Sequence, residues 1–463
     1  MSIREANLAA YANRFSEYTE LRLQQNTNVR VALLNGDVVT NLKSVDGGVS
    51  ARVFKNGVWG FASRPDLAGE PIVATINEAT RNAQVLARHA ADEQAQLAPG
   101  VRARASSDFG TRRPRRTQRQ IVDFLAAVDA HIVATYPGLR SRSVSLWNLD
   151  MEKRLFTSDA ADGYSNTTRS LVVVNLVTSN AAGEPVELRR PFGGRGQFED
   201  VFDDPALLHP EIADLHGHLM AKRDGVRSRA GQHDVILDAD LAGILAHEAI
   251  GHTTEADLVE GGSIAGDFVD QLVASPLITM IDYAHTRDGE TLPVPVYLDD
   301  EGVESTDTVL IDRGVLKGFM HNRQTASRFG ANATGNARAY QFSDEPLIRM
   351  RNTAILPGPH RLEEMIASVA DGYYLMWPSN GQADGTSEFM FGVQMGYEIK
   401  NGKLGRAISD TTISGVAFDM LKTVTMVSDE MHWSCAGMCG KKQIIPVGMG
   451  GPSIRCRVHL GGA

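Results

Sequence analysis

His247 and His252 stand five residues apart, with Glu248 directly after the first, in a stretch apolar enough to be a buried helix. That spacing constrains the backbone more tightly than any other feature of the chain. Ligands four residues apart lie about 40° from each other around an α-helix, which is why the His-Glu-x-x-His pattern can hold one metal ion. Five steps open the angle to about 140° on an ideal helix, too wide for two imidazoles to share an ion. Either the histidines are unrelated, or the turn between them is widened into a π-type bulge, a distortion that gathers at functional sites. Gly251, directly before His252, stands where such a turn would form.

The lead-in favours the second reading. Gln232 to Asp238 reads as a short apolar strand, and Ala239 to Gly251 (ADLAGILAHEAIG) as an apolar helix that must be largely buried. Charged side chains are almost never fully buried without partners. Glu248 therefore asks for a compensating charge, which a metal with its water would supply. Catalytic zinc takes three protein ligands and keeps a fourth position for water, so a third ligand must come from elsewhere. The three cysteines, Cys435, Cys439 and Cys456, all lie near the C-terminus. Cys439 sits in Met438-Cys439-Gly440-Lys441-Lys442-Gln443, ahead of the Pro446 to Pro452 stretch, where glycine and proline fix a tight backbone path. A neighbouring lysine would favour its thiolate. Cys435 is the alternative ligand. A structural site of His432, Cys435 and Cys439 would want a fourth ligand, and none is nearby. Cys456 reads as a small buried side chain in the final strand.

Beyond the motif, the chain resembles the TldD/PmbA family of metalloproteases, in particular members that keep His-Glu-x-x-x-His. The resemblance rests also on Asp299-Asp300-Glu301-Gly302, Gly314-Val315-Leu316-Lys317-Gly318, Thr334-Gly335-Asn336-Ala337-Arg338, Gly381-Gln382-Ala383-Asp384, the Glu398 to Lys403 hairpin and Cys439-Gly440-Lys441. It is strong over the C-terminal half and looser before it. It implies His247, His252 and Cys439 as zinc ligands and Glu248 as general base. It also implies short or unfolded peptides as substrates, and a homodimer or a heterodimer with a sister subunit lacking the zinc motif. Gln443 follows Lys442 directly, one residue short of the family's Cys-Gly-Lys-x-Gly-Gln spacing, which keeps Cys435 open.

The expected function is zinc-dependent peptide hydrolysis, with zinc polarising the scissile carbonyl and Glu248 moving the water's proton. Edge strands could hold an extended peptide by backbone pairing. The alternatives are a non-catalytic peptide-binding or regulatory subunit of a complex of this family, and a zinc amidase acting on a small substrate. A net charge of −10 argues against a nucleic-acid binder. The run Arg112, Arg113, Arg115, Arg116 and Arg119 reads as a solvated loop, since Pro114 interrupts it and no aromatics are interleaved. Thiol ligation in a chain with three cysteines places it in the reducing cytoplasm. Met1 to Ala6 opens no apolar core of signal-peptide length, and no uncharged run reaches the ~18 residues that span a bilayer.

With 463 residues the chain can bury more than one core. Asn35-Gly36 and Asn56-Gly57 mark hairpins in an antiparallel sheet. Helical periodicity runs over Pro71 to Ala90, Thr117 to Tyr136 and about Pro205 to Arg223, while Ala91 to Arg116 reads as a loop. The polar run Asp224 to Gln232 is the expected boundary, giving an N-terminal α+β domain (1–230) and a C-terminal zinc domain (231–463). In the latter, short strands at Pro293 to Leu298, Asp307 to Ile311, Leu316 to Met320, Ser387 to Lys400 and Lys403 to Ile408 predict a curved antiparallel sheet or partial barrel. Its two ends must meet for Cys439 to reach the helix. His216 and His218 read as packing histidines, and Gly193-Gly194-Arg195-Gly196 as a turn or flexible junction. Glu255 and Asp257 are either acceptors for His252 or solvated charges.

Overall fold

The computed structural model describes residues 2–90 and 95–461. Both Asn-Gly pairs form tight turns: φ is 52° and 94° at Asn35 and Gly36, and 47° and 80° at Asn56 and Gly57. These are the left-handed values that a type I′ hairpin requires. The turns join β1 (Tyr18–Leu34), β2 (Asp37–Lys55) and β3 (Val58–Arg64). With β4 (Arg104–Asp108), β5 (Ser141–Thr157), β6 (Asp162–Ser179) and β7 (Pro185–Arg195) they make a sheet ordered β3-β2-β1-β5-β6-β4, in which β7 also pairs with β6.

Helices α1 (Gly69–Ala87), α2 (Gln118–Thr135) and α3 (His209–Arg223) cover one face of this sheet. Thr117 and Gln120 close a capping box at the start of α2. Leu21, Leu23, Val31 and Leu33 of β1 point into the apolar layers beneath the helices. The alternate residues Glu20, Arg22, Gln24 and Asn26 are buried too, because the second half of the chain lies over them.

That half opens with β8 (Gly231–Leu237) and α4 (Ala239–Leu245). It continues through β9 (Met280–Tyr283), β10 (Thr308–Asp312), β11 (Val315–Leu316), β12 (Asn352–Ile355), β13 (Asp371–Ala383), β14 (Glu388–Lys400), β15 (Lys403–Ile408), β16 (Thr411–Val416), β17 (His432–Lys441), β18 (Gln443–Gly451) and β19 (Ile454–Gly461). One sheet runs β11-β10-β9-β12-β18-β17. The other runs β13-β8-β19-β16-β14 and closes by pairing β14 with β13, a small five-strand barrel from which β15 extends. The fold is thus α+β, with a curved, mostly antiparallel partial barrel in its second half. Ends of that half do meet: β19 pairs with β8, Ile454 opposite Leu237. Helix α4 packs between β13 of the barrel and β18 of the neighbouring sheet.

Four local expectations are corrected. Residues 293–298 form no ladder strand; Pro293 and Pro295 lack the N–H a ladder needs, and only Leu298 bridges, to Glu304. The strand expected over Leu316 to Met320 shrinks to β11, with Met320 bridging Glu255 instead. The loop expected over Ala91 to Arg116 contains β4, a polar strand paired in parallel with β6, while residues 91–94 of it lie outside the described residues. Gly193 to Arg195 end β7 rather than forming a turn.

Candidate metal centre

Asp238 starts α4 by accepting the Leu241 N–H at 2.8 Å, and it also accepts the Trp377 N–H at 3.1 Å, tying the helix to the barrel. After seven residues the helix widens. Ala246–Gly251 form a π turn in which the His252 N–H donates to the His247 carbonyl. Bonding from i to i+5 brings residues five apart to one side of the helix, as ordinary α-bonding does for residues four apart. The two imidazoles accordingly face each other, ring centroids 5.3 Å apart. Gly251 permits this turn to pack: a Cβ there would lie 2.0 Å from the Met350 sulfur.

The β17–β18 hairpin carries Cys439, opposite Ile445, over this turn. Its sulfur lies 3.3 Å from His252 Nε2. One ligand atom each from His247, His252 and Cys439 falls within 4.8 Å of the others, and among the described residues no other such group converges. Glu248 places a carboxylate oxygen 3.6 Å from His252 Nε2, and its side chain keeps 20% exposure, so the site has an open side.

The electrostatics match a metal-binding donor set. Burial would raise the Cys439 thiol, yet His247 and His252 outweigh it and hold the thiol at about 4, a thiolate at neutral pH. Both ring nitrogens of His247 are buried without a hydrogen-bond partner. An orphaned polar group of this kind is costly, and a metal bond would satisfy it. Burial works against the charge of Glu255, but His252 and Lys441 keep its carboxyl below the usual range. A carboxylate can only accept, so His252 Nδ1, 2.8 Å away, donates to Glu255 and leaves Nε2 facing the thiolate. Two imidazoles and a thiolate are a donor set that zinc takes.

Of the residues singled out in the sequence, His247, His252, Cys439 and Glu248 come together. Cys435 does not; it is buried on β17 with its sulfur 4.0 Å from the Pro293 carbonyl. His432 lies 3.5 Å from Asp240. Glu255 is the acceptor for His252, whereas Asp257 binds Lys441. Lys441 serves these two carboxylates, so the imidazoles, not the lysine, hold the thiolate. His216 stacks on Tyr136, and His218 hydrogen-bonds the Tyr397 hydroxyl. Within the 112–119 cluster, Arg113 and Arg116 pair with Asp203, Arg115 with Glu199 and Asp150, and Arg119 with Asp123. The sequence reading missed Arg349. Fully buried, it donates to the carbonyls of Cys439, Lys441 and Gln443 at 2.7, 3.2 and 2.8 Å, clamping the hairpin that carries the thiolate. Its only signal was an arginine alternating with apolar residues in Leu347 to Arg351. No described helix is long and apolar enough to cross a membrane.

Residues 230–462 match the profile of the PmbA/TldA metallopeptidase C-terminal domain, and residues 19–83 that of PmbA/TldA metallopeptidase domain 1. A metalloprotease of Methanocaldococcus jannaschii is 31% identical over 444 residues, covering 95% of this chain and 96% of the relative. The zinc metalloprotease TldD homolog of Saccharolobus solfataricus is 29% identical over 426 residues, 90% of each chain. Among solved structures, TldE from Thermococcus kodakarensis has the same fold, with a TM-score of 0.74 at 16% identity over 98% of this chain and all of that one. A Thermotoga maritima protein reaches a TM-score of 0.78 at 19% identity, covering 98% of each.

Proposed function

Because this chain belongs to the PmbA/TldD metallopeptidase family, we propose that it is a zinc-dependent peptidase acting on short or unfolded peptides. His247, His252 and Cys439 are the metal ligands in this reading and Glu248 is the general base. The observation that carries it is the convergence of those three ligand atoms within 4.8 Å, with Glu248 beside them on the open side.

A zinc ion bound there supplies a Lewis acid and a water acidic enough to ionise near neutral pH. The chain's own groups do the rest. Glu248 takes the proton as the water oxygen bonds to the scissile carbonyl carbon, and returns it to the leaving nitrogen as the C–N bond breaks. Glu255 fixes the ring of His252, and Lys441 holds Glu255. Arg349 keeps the strand bearing Cys439 in place. The same proposal takes residues 1–230 and 231–463 as the two domains, a homodimer or a pairing with a sister subunit lacking the zinc motif as the assembly, and the reducing cytoplasm as the setting.

Elemental analysis tests the ligands first. Protein purified without chelators carries about one zinc per chain by this reading; Cys439→Ser loses it, and Cys435→Ser retains it. Glu248→Gln keeps the metal while peptide hydrolysis falls by about 10²–10⁴-fold. Metal-free wild-type protein would sink the ligand set, and full activity in Glu248→Gln the assigned base.

A further inference from the structure

The first part of β2 has a bare outer edge. β1 lines the inner edge of the strand from Asp37 to Phe54, but β3 covers the outer edge only from Val49 to Lys55. Pro65, directly after the end of β3, has no N–H to continue the ladder. Among the described residues no strand pairs with the outer edge of Asp37 to Asp46. Every residue of that stretch is exposed, and Val38, Val39, Leu42 and Val45 keep 48%, 59%, 55% and 57% of their surface. An exposed apolar edge is a template for another strand, which proteins usually blunt with charges, proline or bulges. Here Lys43 is the one charge between Val39 and Val45, and the ladder's register shift, beside Val39, leaves Thr40 to Asp46 regular.

The occupant is specified by the strand itself. Val39-Thr40-Asn41-Leu42-Lys43-Ser44-Val45 is a chemical palindrome about Leu42. When two copies related by a twofold axis at Leu42 pair antiparallel, Val39 meets Val45, Thr40 meets Ser44, Asn41 meets Lys43, and Leu42 meets itself. Asp37 and Asp46 fall opposite Gly47 and Val38, so no like charges are opposed. Sliding the register by one residue sets Asp37 against Asp46 in one direction and Leu42 against Lys43 in the other. Identical chains associate most often about such a twofold axis, with one patch meeting itself.

We propose that a second copy of this chain docks on β2, its Val39 to Val45 antiparallel to the same segment, so that the two first sheets become one. The inference rests on the assembly proposed above and selects the homodimer, because the palindrome matches only an identical strand. In this register the two residues 42 lie about 4.5–5.5 Å apart between Cα atoms, within disulfide range, whereas the two residues 37 lie about 34 Å apart. Cys435, Cys439 and Cys456 are buried, so a cysteine added on this edge is the accessible thiol. Under mild oxidation Leu42→Cys is expected to form a disulfide-linked dimer and Asp37→Cys to stay unlinked. By light scattering, wild type should have the mass of two chains and Leu42→Lys, at the same concentration and with its zinc content unchanged, the mass of one. A dimer that survives Leu42→Lys, or cross-linking no faster in Leu42→Cys than in Asp37→Cys, overturns this interface and leaves the dimer standing. A monomeric wild type overturns both and points to a different chain as the occupant, without touching the metal ligands. The cysteine comparison decides the matter if Leu42→Lys fails to fold.

Discussion

At the scale of single residues, the structure sorts histidines by what surrounds them rather than by sequence context. His247 and His252 face a thiolate and carboxylates; His321 is buried beside Phe319 and Phe329, with Thr325 as its hydrogen-bonding neighbour. Burial pushes His321 down to about 4. Below the ordinary histidine value near 6.5 the unfolded chain takes up a proton that the native site refuses. The stabilisation from this neutral imidazole is thus complete above pH ~6.5 and is lost as pH falls towards about 4. Replacing His321 with Gln is expected to flatten the loss of Tm between pH 6.5 and 4 relative to wild type; an unchanged pH slope in calorimetry would show that His321 is not the group responsible. Nothing in the sequence marks His321 as different from His218, because burial is a property of the neighbours.

At the scale of elements, the π turn is the point where sequence and fold agree most closely. Five-residue spacing left either two unrelated histidines or a widened turn, and Ala246–Gly251 form the widened turn. What the sequence left open is its outer packing. Gly251 lies against Met350, whose sulfur would be 2.0 Å from an added Cβ. Gly251→Ala should cost about 1–3 kcal/mol, the usual penalty of overpacking a buried site. Because the two residues share one contact, combining it with Met350→Ala should cost less than the sum of the separate changes. Strictly additive losses in denaturant titrations would refute the contact. The hairpins around Asn35-Gly36 and Asn56-Gly57 were legible for the same local reason, since two residues with positive φ fix the turn. Strand β4 was not, because its alternation Arg-Ala-Ser-Ser-Asp carries little apolar signal and its partner β6 is more than fifty residues away.

At the scale of the whole molecule, the seam between the halves is built from buried charge. Asp300 binds Lys153 at 2.6 Å and lies 3.3 Å from Arg22, both on the first sheet, and Arg52 binds Glu301 at 2.5 Å. Burial pulls Lys153 down to about 8, with Asp300 opposing the fall. Asp300→Asn removes the carboxylate partner of two buried cations and should destabilise by about 3–5 kcal/mol; adding Lys153→Met should recover part of this. A wild-type melting temperature in the Asp300→Asn variant would mean that the seam contributes nothing. The sequence by itself determined the local elements: the type I′ hairpins, the capped α2 and the apolar helix bearing two histidines, whose turn must widen if they are to share one ion. Each follows from side-chain periodicity and backbone preference within a few residues. The tertiary structure alone decided that Cys439 rather than Cys435 approaches His252, 187 positions away in the chain, and that Arg349 clamps its strand. It also decided that Glu20, Arg22, Gln24 and Asn26 on the polar face of β1 are buried and that the barrel closes β14 on β13. These are long-range contacts. They depend on which surfaces meet once the whole chain has collapsed, and no local pattern encodes that.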